Sequence, residues 1–388
     1  MNKYILINRI QVQNANAIAG FTWGFPAITH FLGFTHNLSR KLSTKKEFND
    51  VELLGCAVIS HTHQVHTYGD YEKQFTQTRN PPYLNSHKKD ATPPIIEEGK
   101  MNMTVSLLIK YNEYNGSIGN REDGFIQWIK NACYLQRLAG GTILDIKATQ
   151  LFTVDKQNIN ALKRLLLPGF VLMNRAEYLE DHYHNLQEKN KTAELFDAWL
   201  DFIALKQQAR PLSNLISKYF GNLNKDDANK ELVELWNKHL NQPYKTAEIP
   251  LELSEYFAAE DNFDKELLTQ WKNYMNPDEK TDAKWEYLSK PQSGYLVPIM
   301  TGYKAISKVY KNDEVQNTRD NETDVCFVEA VHSVGEWLST HRLTEDKIKS
   351  SVWRYDSEEN WYLCVQNKQM SRNEDGEVAY EEPQDGMN

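Results

Sequence analysis

Apolar positions along this chain switch between a period of two and a period near four, and each switch marks a new element. Ile5, Ile7, Ile10 and Val12 are β-branched and closely spaced, which predicts a half-buried strand. Asn14 and Asn16 end it. Pro26 follows Trp23-Gly24-Phe25 and predicts the first turn of a helix, where its missing N–H costs nothing. Ile28, Phe31, Leu32, Thr35 and Leu38 then recur at helical spacing. Alternation resumes from Val51 to His66, a second long strand, and Met101 to Ile109 reads as a returning one. Between them the polar, aromatic and proline-bearing stretch at about 68–100 predicts a protruding arm. Asn120 is the expected cap of the next helix, whose buried stripe is Phe125, Trp128, Ile129, Ala132 and Leu135. Gly140-Gly141 lets the chain leave that helix and open another strand at Thr142-Ile143. The order is β-α-β-β-α-β. That is an α+β fold with a ferredoxin-like, split βαβ core over residues 1–175.

The pattern changes at Ala176. Trp199, Phe202, Ile203, Leu232, Leu235, Trp236, Leu267, Leu268, Trp271 and Tyr274 recur at helical intervals, with breaks near Pro211, Pro243, Pro250 and Pro277. We expect a helical insertion over 176–290, either a packed scaffold or a face for a protein partner. Strand signals return over 291–370, a β-rich part expected to pack on the core, with a hairpin from Ser351 to Gln366. Residues 371–388 are polar and acidic, an expected disordered tail.

Composition narrows the function classes. The chain has 388 residues, 40% hydrophobic and 25% charged, with no apolar run of membrane-spanning length. Its N-terminus has too short an apolar core for a signal peptide, so a cytoplasmic location is expected. Cys56, Cys133, Cys326 and Cys364 are scattered and form no CxxC pair, which favours reduced thiols over a disulfide framework or zinc site. On a strand, His61 and His63 share one face while His66 points to the other, so three ligands cannot converge without a bulge. No P-loop, GxSxG or HExxH occurs. We expect no cofactor, no metal and no catalytic residues. The formal net charge of −9 argues against indiscriminate nucleic-acid binding. Yet Asn8 to Lys46 carries Arg9, Arg40, Lys41, Lys45 and Lys46 and no acid, so a locally basic groove on an acidic body can still hold a short RNA.

Several blocks, in order along the chain, carry a resemblance. QNANAI, TWGFP and FLGFTHNLSR lie near the start, followed by TRNP at Thr78, IIEEGKMNMTVSLLI at Ile95 and RLAGGTI at Arg137. RLLLPGFVLMNR at Arg164, GYLVPIMTGYKAIS at Gly294, NTRD at Asn317 and GEWLSTHRL at Gly335 complete the set. The chain resembles the second Csy proteins, the subunits of type I-F CRISPR surveillance (Csy) complexes that hold the 5′ end of the guide RNA. The resemblance implies an RRM-like core of the repeat-associated RNA-binding superfamily. It also implies a non-catalytic subunit that grips the crRNA 5′ handle, pairs with the large Csy subunit as a heterodimer, and caps a filament of backbone Csy subunits. Target DNA would be met indirectly, through the complex, and no membrane is involved. Two alternatives stay open: a CRISPR repeat endoribonuclease of the same superfamily, using a histidine near Gly140-Gly141, and a purely protein-bridging scaffold.

Single-stranded RNA is recognised by amides and arginines, stacking aromatics and backbone N–H groups exposed at glycines. The candidate RNA-binding residues are Asn14, Asn16, Trp23, Arg40, Thr78, Arg79, Asn80, Arg137, Gly140, Gly141, Asn317 and Arg319. Each has a plainer reading. Asn14 and Asn16 can be turn residues, and Trp23 can be core. Arg79 can dock a neighbouring subunit. Gly140 and Gly141 make a helix-to-strand turn before anything else, and Arg319 has Asp320 and Glu322 nearby for a local ion pair.

Overall fold

The computed structural model describes residues 3–70, 72–79, 95–223, 229–242, 248–258, 263–318, 320 and 322–366. The first elements are β1 (Lys3–Asn16), α1 (Ile28–Ser43), β2 (Val51–Val65), β3 (Lys100–Glu113), α2 (Glu122–Tyr134) and β4 (Gly141–Thr153). Their strands lie in the order β2-β3-β1-β4, every neighbouring pair antiparallel. Ile5 stands opposite Leu151 on one side and Ile109 on the other. The protein is α+β.

Strand β1 is buried on both faces, not on one. Ile5, Ile7 and Ile10 point toward α1 and α2, while Tyr4 and Leu6 meet Leu162 and Leu166 of α3 (Ile159–Leu166). Helix α1 places Ile28, Phe31, Leu32, Thr35 and Leu38 inward, as its spacing predicts. It starts at Ile28 with Ala27 as its cap, so Pro26 precedes the helix rather than opening it. Likewise a 3-10 turn, Gly119–Arg121, contains Asn120, and Arg121 takes the cap position. Because α2 stops at Tyr134, Leu135 is exposed and Cys133 completes the stripe with Phe125, Ile129 and Ala132.

Five more strands extend the sheet past β2: β5 (Phe170–Asn174), β6 (Leu296–Ala305), β7 (Val328–Ser339), β8 (Trp353–Glu358) and β9 (Trp361–Gln366). The last two form the expected hairpin. Pairing runs β5-β7-β6-β9-β8-β2, and β5 also pairs with β2 through Phe170–Ser60 and Val171–Ile59, so the ladder closes on itself. Trp353 is fully buried there, its indole N–H donating to the Leu172 carbonyl at 3.2 Å. Short strands Thr67–Tyr68, Gln74–Arg79 and Ile95–Glu98 form a separate ladder in the expected arm. Asn80 and the stretch to Pro94, Arg319, and the acidic tail lie outside the described residues.

The chain divides into two compact units, one running to Phe202 and resuming at Ser293, the other Ile203–Gln292. Helix α4 (Ala176–Lys189) and nearly all of α5 (Leu195–Ile203), which sequence patterning assigned to the insertion, lie in the first unit. Trp199 is held there by its indole N–H, which donates to the Ser333 carbonyl at 3.0 Å. The second unit contains α6 (Asn214–Leu223), α7 (Lys230–Leu240), α8 (Leu251–Ala258), α9 (Lys265–Met275) and the paired strands Gln207–Pro211 and Ala283–Tyr287. Its core is aromatic, with Phe220, Trp236, Phe257, Trp271 and Tyr274 buried together. No helix of the described residues is long and apolar enough to cross a membrane.

Candidate functional site

The last turn of β1 bends away from regular pairing. Asn14 adopts φ +55°, which an amide side chain tolerates better than most, and its N–H donates to Asn102 Oδ1 at 3.1 Å. Two residues on, Asn16 turns the chain: Oδ1 accepts from the Ile18 N–H at 3.1 Å and Nδ2 donates to the Ile18 carbonyl at 2.8 Å. Nδ2 also lies 3.3 Å from His30 Nε2, at the start of α1. An amide donor there makes Nε2 an acceptor, so the imidazole is neutral. Burial, which holds the His30 pKa below its usual value, acts in the same direction.

The Asn16 backbone N–H donates to the Ala139 carbonyl at 2.8 Å, which brings the glycine turn against the end of β1. The two glycines differ sharply. A Cβ on Gly141 would sit 2.6 Å from the Gln13 carbonyl and 2.8 Å from the Ala15 nitrogen. Its close approach is therefore to β1. Gly140 has φ +75° and open space around its Cα, and its carbonyl accepts from Arg137 Nη1 at 3.2 Å. A cavity of about 310 Å³ lies alongside, lined by His30, Gly33, Asn37, Gln136, Arg137 and Gly140. Arg137, Gly140, Gly141 and Asn16, chosen from sequence, thus meet in one place.

A second cavity, of about 450 Å³, lies beside the hairpin in which Ile18–Ala19 pairs with Thr22–Trp23. Gly24 N–H bonds the Ala17 carbonyl and Trp23 pairs with Ile18, which carries Thr22 to Phe25 to its wall. Trp23 is half-buried, packs on the main core and touches Phe75 of the arm. Its Nε1 is buried without a hydrogen-bond partner among the described residues. So Trp23 is both core and cavity wall. Phe25, Phe170, Tyr295 and Trp337 complete the aromatic lining, with Ser60, His61 and His63 from β2.

Strand β2 does carry a bulge, between Ser60 and Thr62. It does not create a metal site. His61 Nδ1 lies 2.7 Å from the Pro168 carbonyl and Nε2 2.7 Å from Ser106 Oγ, so both ring nitrogens are occupied. Ser106 Oγ also lies 3.0 Å from Asn8 Oδ1 and accepts from the Arg9 N–H. No group of ligating side chains able to hold a metal occurs among the described residues.

The remaining candidates lie apart. Arg40, on the exposed side of α1, borders a cavity with Asp320, Thr323 and Val325, and Asn317 stands in the same loop at φ +61°. Thr78 and Arg79 belong to the arm ladder, paired with Ile96 and Ile95. Phe25 was flagged beside Trp23, but His30, Phe170, Tyr295 and Trp337 were not singled out as site residues. The last three lie inside the blocks RLLLPGFVLMNR, GYLVPIMTGYKAIS and GEWLSTHRL, which gave a signal of segment but not of residue.

Comparison with known proteins adds the family. The model of the CRISPR-associated Csy2 proteins matches residues 5–228 and 252–364. The chain belongs to the Csy2 family. It is also 29% identical, over 371 residues and 91% of each chain, to the CRISPR-associated protein Csy2 of Pseudomonas aeruginosa (strain UCBPP-PA14). This Csy2 family member is accordingly a CRISPR-associated subunit of the type I-F, Csy-complex class.

Proposed function

We propose that the chain is a non-catalytic, cytoplasmic RNA-binding subunit that holds the 5′ handle of the crRNA together with the large Csy subunit and caps the backbone filament. The observation that carries this reading is the groove where Asn16, Arg137 and the open Gly140 converge. An amide, a guanidinium and an uncovered backbone turn are the groups that single-stranded RNA requires. The strand order β2-β3-β1-β4, with α1 and α2 on one face, supports a ferredoxin-like, RRM-like core of the repeat-associated superfamily. The arm ladder, whose Phe75 touches Trp23, would cover the bound strand.

The test is crosslinking of a reconstituted complex containing the large subunit and crRNA. Arg137→Ala should weaken handle crosslinks and lower the slope of affinity against salt by about one, the loss of one phosphate contact. Unchanged crosslinks and slope would sink the reading and favour a protein-bridging scaffold.

One observation favours the endoribonuclease alternative as a second reading: neutral His30 shares the groove with Gly140 and Arg137. A general base needs that protonation state and reach of a 2′-hydroxyl. Its Nε2, however, is held by Asn16. Incubation of repeat RNA with the purified chain in EDTA is expected to give no product, and cleavage abolished by His30→Ala would establish the alternative.

A further inference from the structure

Resting on the RNA-binding reading, we propose that the aromatic cavity walled by Thr22–Phe25, beside the Ile18–Trp23 hairpin, is a pocket for a single unstacked nucleobase. Five aromatic side chains from four separate segments converge on it: Trp23, Phe25, Phe170, Tyr295 and Trp337. Phe25 meets Trp337 edge-on at 4.8 Å between ring centroids, and Phe170 meets Tyr295 at 6.0 Å. A buried core would cover such rings. Here Tyr295 is 72% and Phe170 39% exposed. The 450 Å³ volume admits one base with its sugar and is too small for a folded element of a partner protein.

The charge of the lining also selects the occupant. Among the described residues no carboxylate lines the cavity, and its polar lining includes Thr22, Ser60, His61, His63 and Tyr295. His61 is spent on Pro168 and Ser106, so it contributes a ring face rather than a donor. His63, on β2, and Tyr295, from a separate segment, both line the cavity and are exposed, which leaves these two to meet the hydrogen-bonding edge of a base. The same hairpin joins this pocket to the glycine-turn groove: Asn16 and His30 flank it at one end, Trp23 and Phe25 at the other. A strand that engages both sites places a phosphate beside Arg137 and turns one base into the cavity. Unstacking such a base is offset by stacking on the aromatic walls, and stacking contributes about 1–3 kcal/mol per base.

Eight-nucleotide RNA homopolymers carrying one 2-aminopurine provide the test, with the full chain. Binding should quench 2-aminopurine strongly at one position, and replacing that nucleotide by an abasic site should weaken binding about 5- to 150-fold, the equivalent of the stacking energy. The double variant Phe170→Ala/Tyr295→Ala, at exposed positions with little folding cost, should lose both the quench and the abasic penalty. Arg137→Ala should keep both while weakening overall affinity and its salt slope. RNA binding that is intact in the double variant, with an undiminished quench, overturns the pocket and leaves the RNA-binding reading standing. Absence of binding to every homopolymer and to a random octamer pool overturns that reading and the pocket with it.

Discussion

Gly140 and Gly141 are adjacent, yet only one of them is excluded from carrying a side chain by its surroundings. At Gly141 a methyl group would strike backbone atoms of Gln13 and Ala15, which cannot rotate away. Gly141→Ala is expected to cost about 1–3 kcal/mol, the usual range for overpacking, and to lower the melting temperature by several degrees. Gly140→Ala meets open space and pays only for its left-handed backbone, about 1 kcal/mol. Thermal melts of the two variants check the order, and equal losses would contradict it. The double glycine was legible in sequence as a turn. Which glycine faces β1 and which faces solvent was not, because the answer lies in the hydrogen bond from Asn16 to Ala139.

At the scale of elements, a buried guanidinium links the parts of the second unit around its aromatic core. Arg210, on the strand Gln207–Pro211, donates to the carbonyls of His239, Leu240 and Gln242, to the Tyr274 hydroxyl and to Glu286. It ties α7 and α9 to the two-stranded ladder. Removing one partner of a buried charge pair leaves the others unsatisfied, so Arg210→Ala is expected to destabilise this unit by about 3–5 kcal/mol. Hydrogen exchange should show lost protection in α7 and α9 and retained protection in β1 and β3. Protection unchanged in α7 and α9 would refute the assignment. The helical spacing of Trp236, Trp271 and Tyr274 announced these helices from sequence. Arg210 did not stand out, since an arginine before a proline reads as solvated until the fold surrounds it. Helix ends were the least legible feature for a related reason: Asn120 and Leu135 fit their roles by spacing, but the 3-10 turn and the stop at Tyr134 shift both out of place.

For the whole molecule, four of the described histidines, His30, His61, His239 and His332, are held below their ordinary pKa, burial being the largest cause for each. A depressed folded-state pKa means the unfolded chain takes up protons first as pH falls. The contribution is therefore complete above about pH 6.5 and is lost as pH drops from there toward the folded values. For His61, the Arg9 charge adds to burial and the bond to the Pro168 carbonyl opposes it. The melting temperature should fall between pH 7 and pH 5, and His61→Gln should reduce that fall relative to the parent. A parallel curve for the variant would exclude His61 as a contributor.

The sequence by itself determined the alternation that makes β1 to β4, the helical faces of α1 and α2, the β-α-β-β-α-β order and the aromatic helices of the second unit. Those properties are local: a side chain's face follows from its spacing along one element. The same locality made the N-terminal strand look half-buried, because nothing in Tyr4 and Leu6 announces α3 covering them from 150 residues away. Tertiary structure alone decided that the closing pair β5–β2 curls the sheet, that His30 meets Asn16 across a hairpin, and that aromatic residues from Trp23 to Trp337 share one cavity. Each of these depends on contacts between segments whose separation in sequence carries no period, so only folding the chain brings them into register.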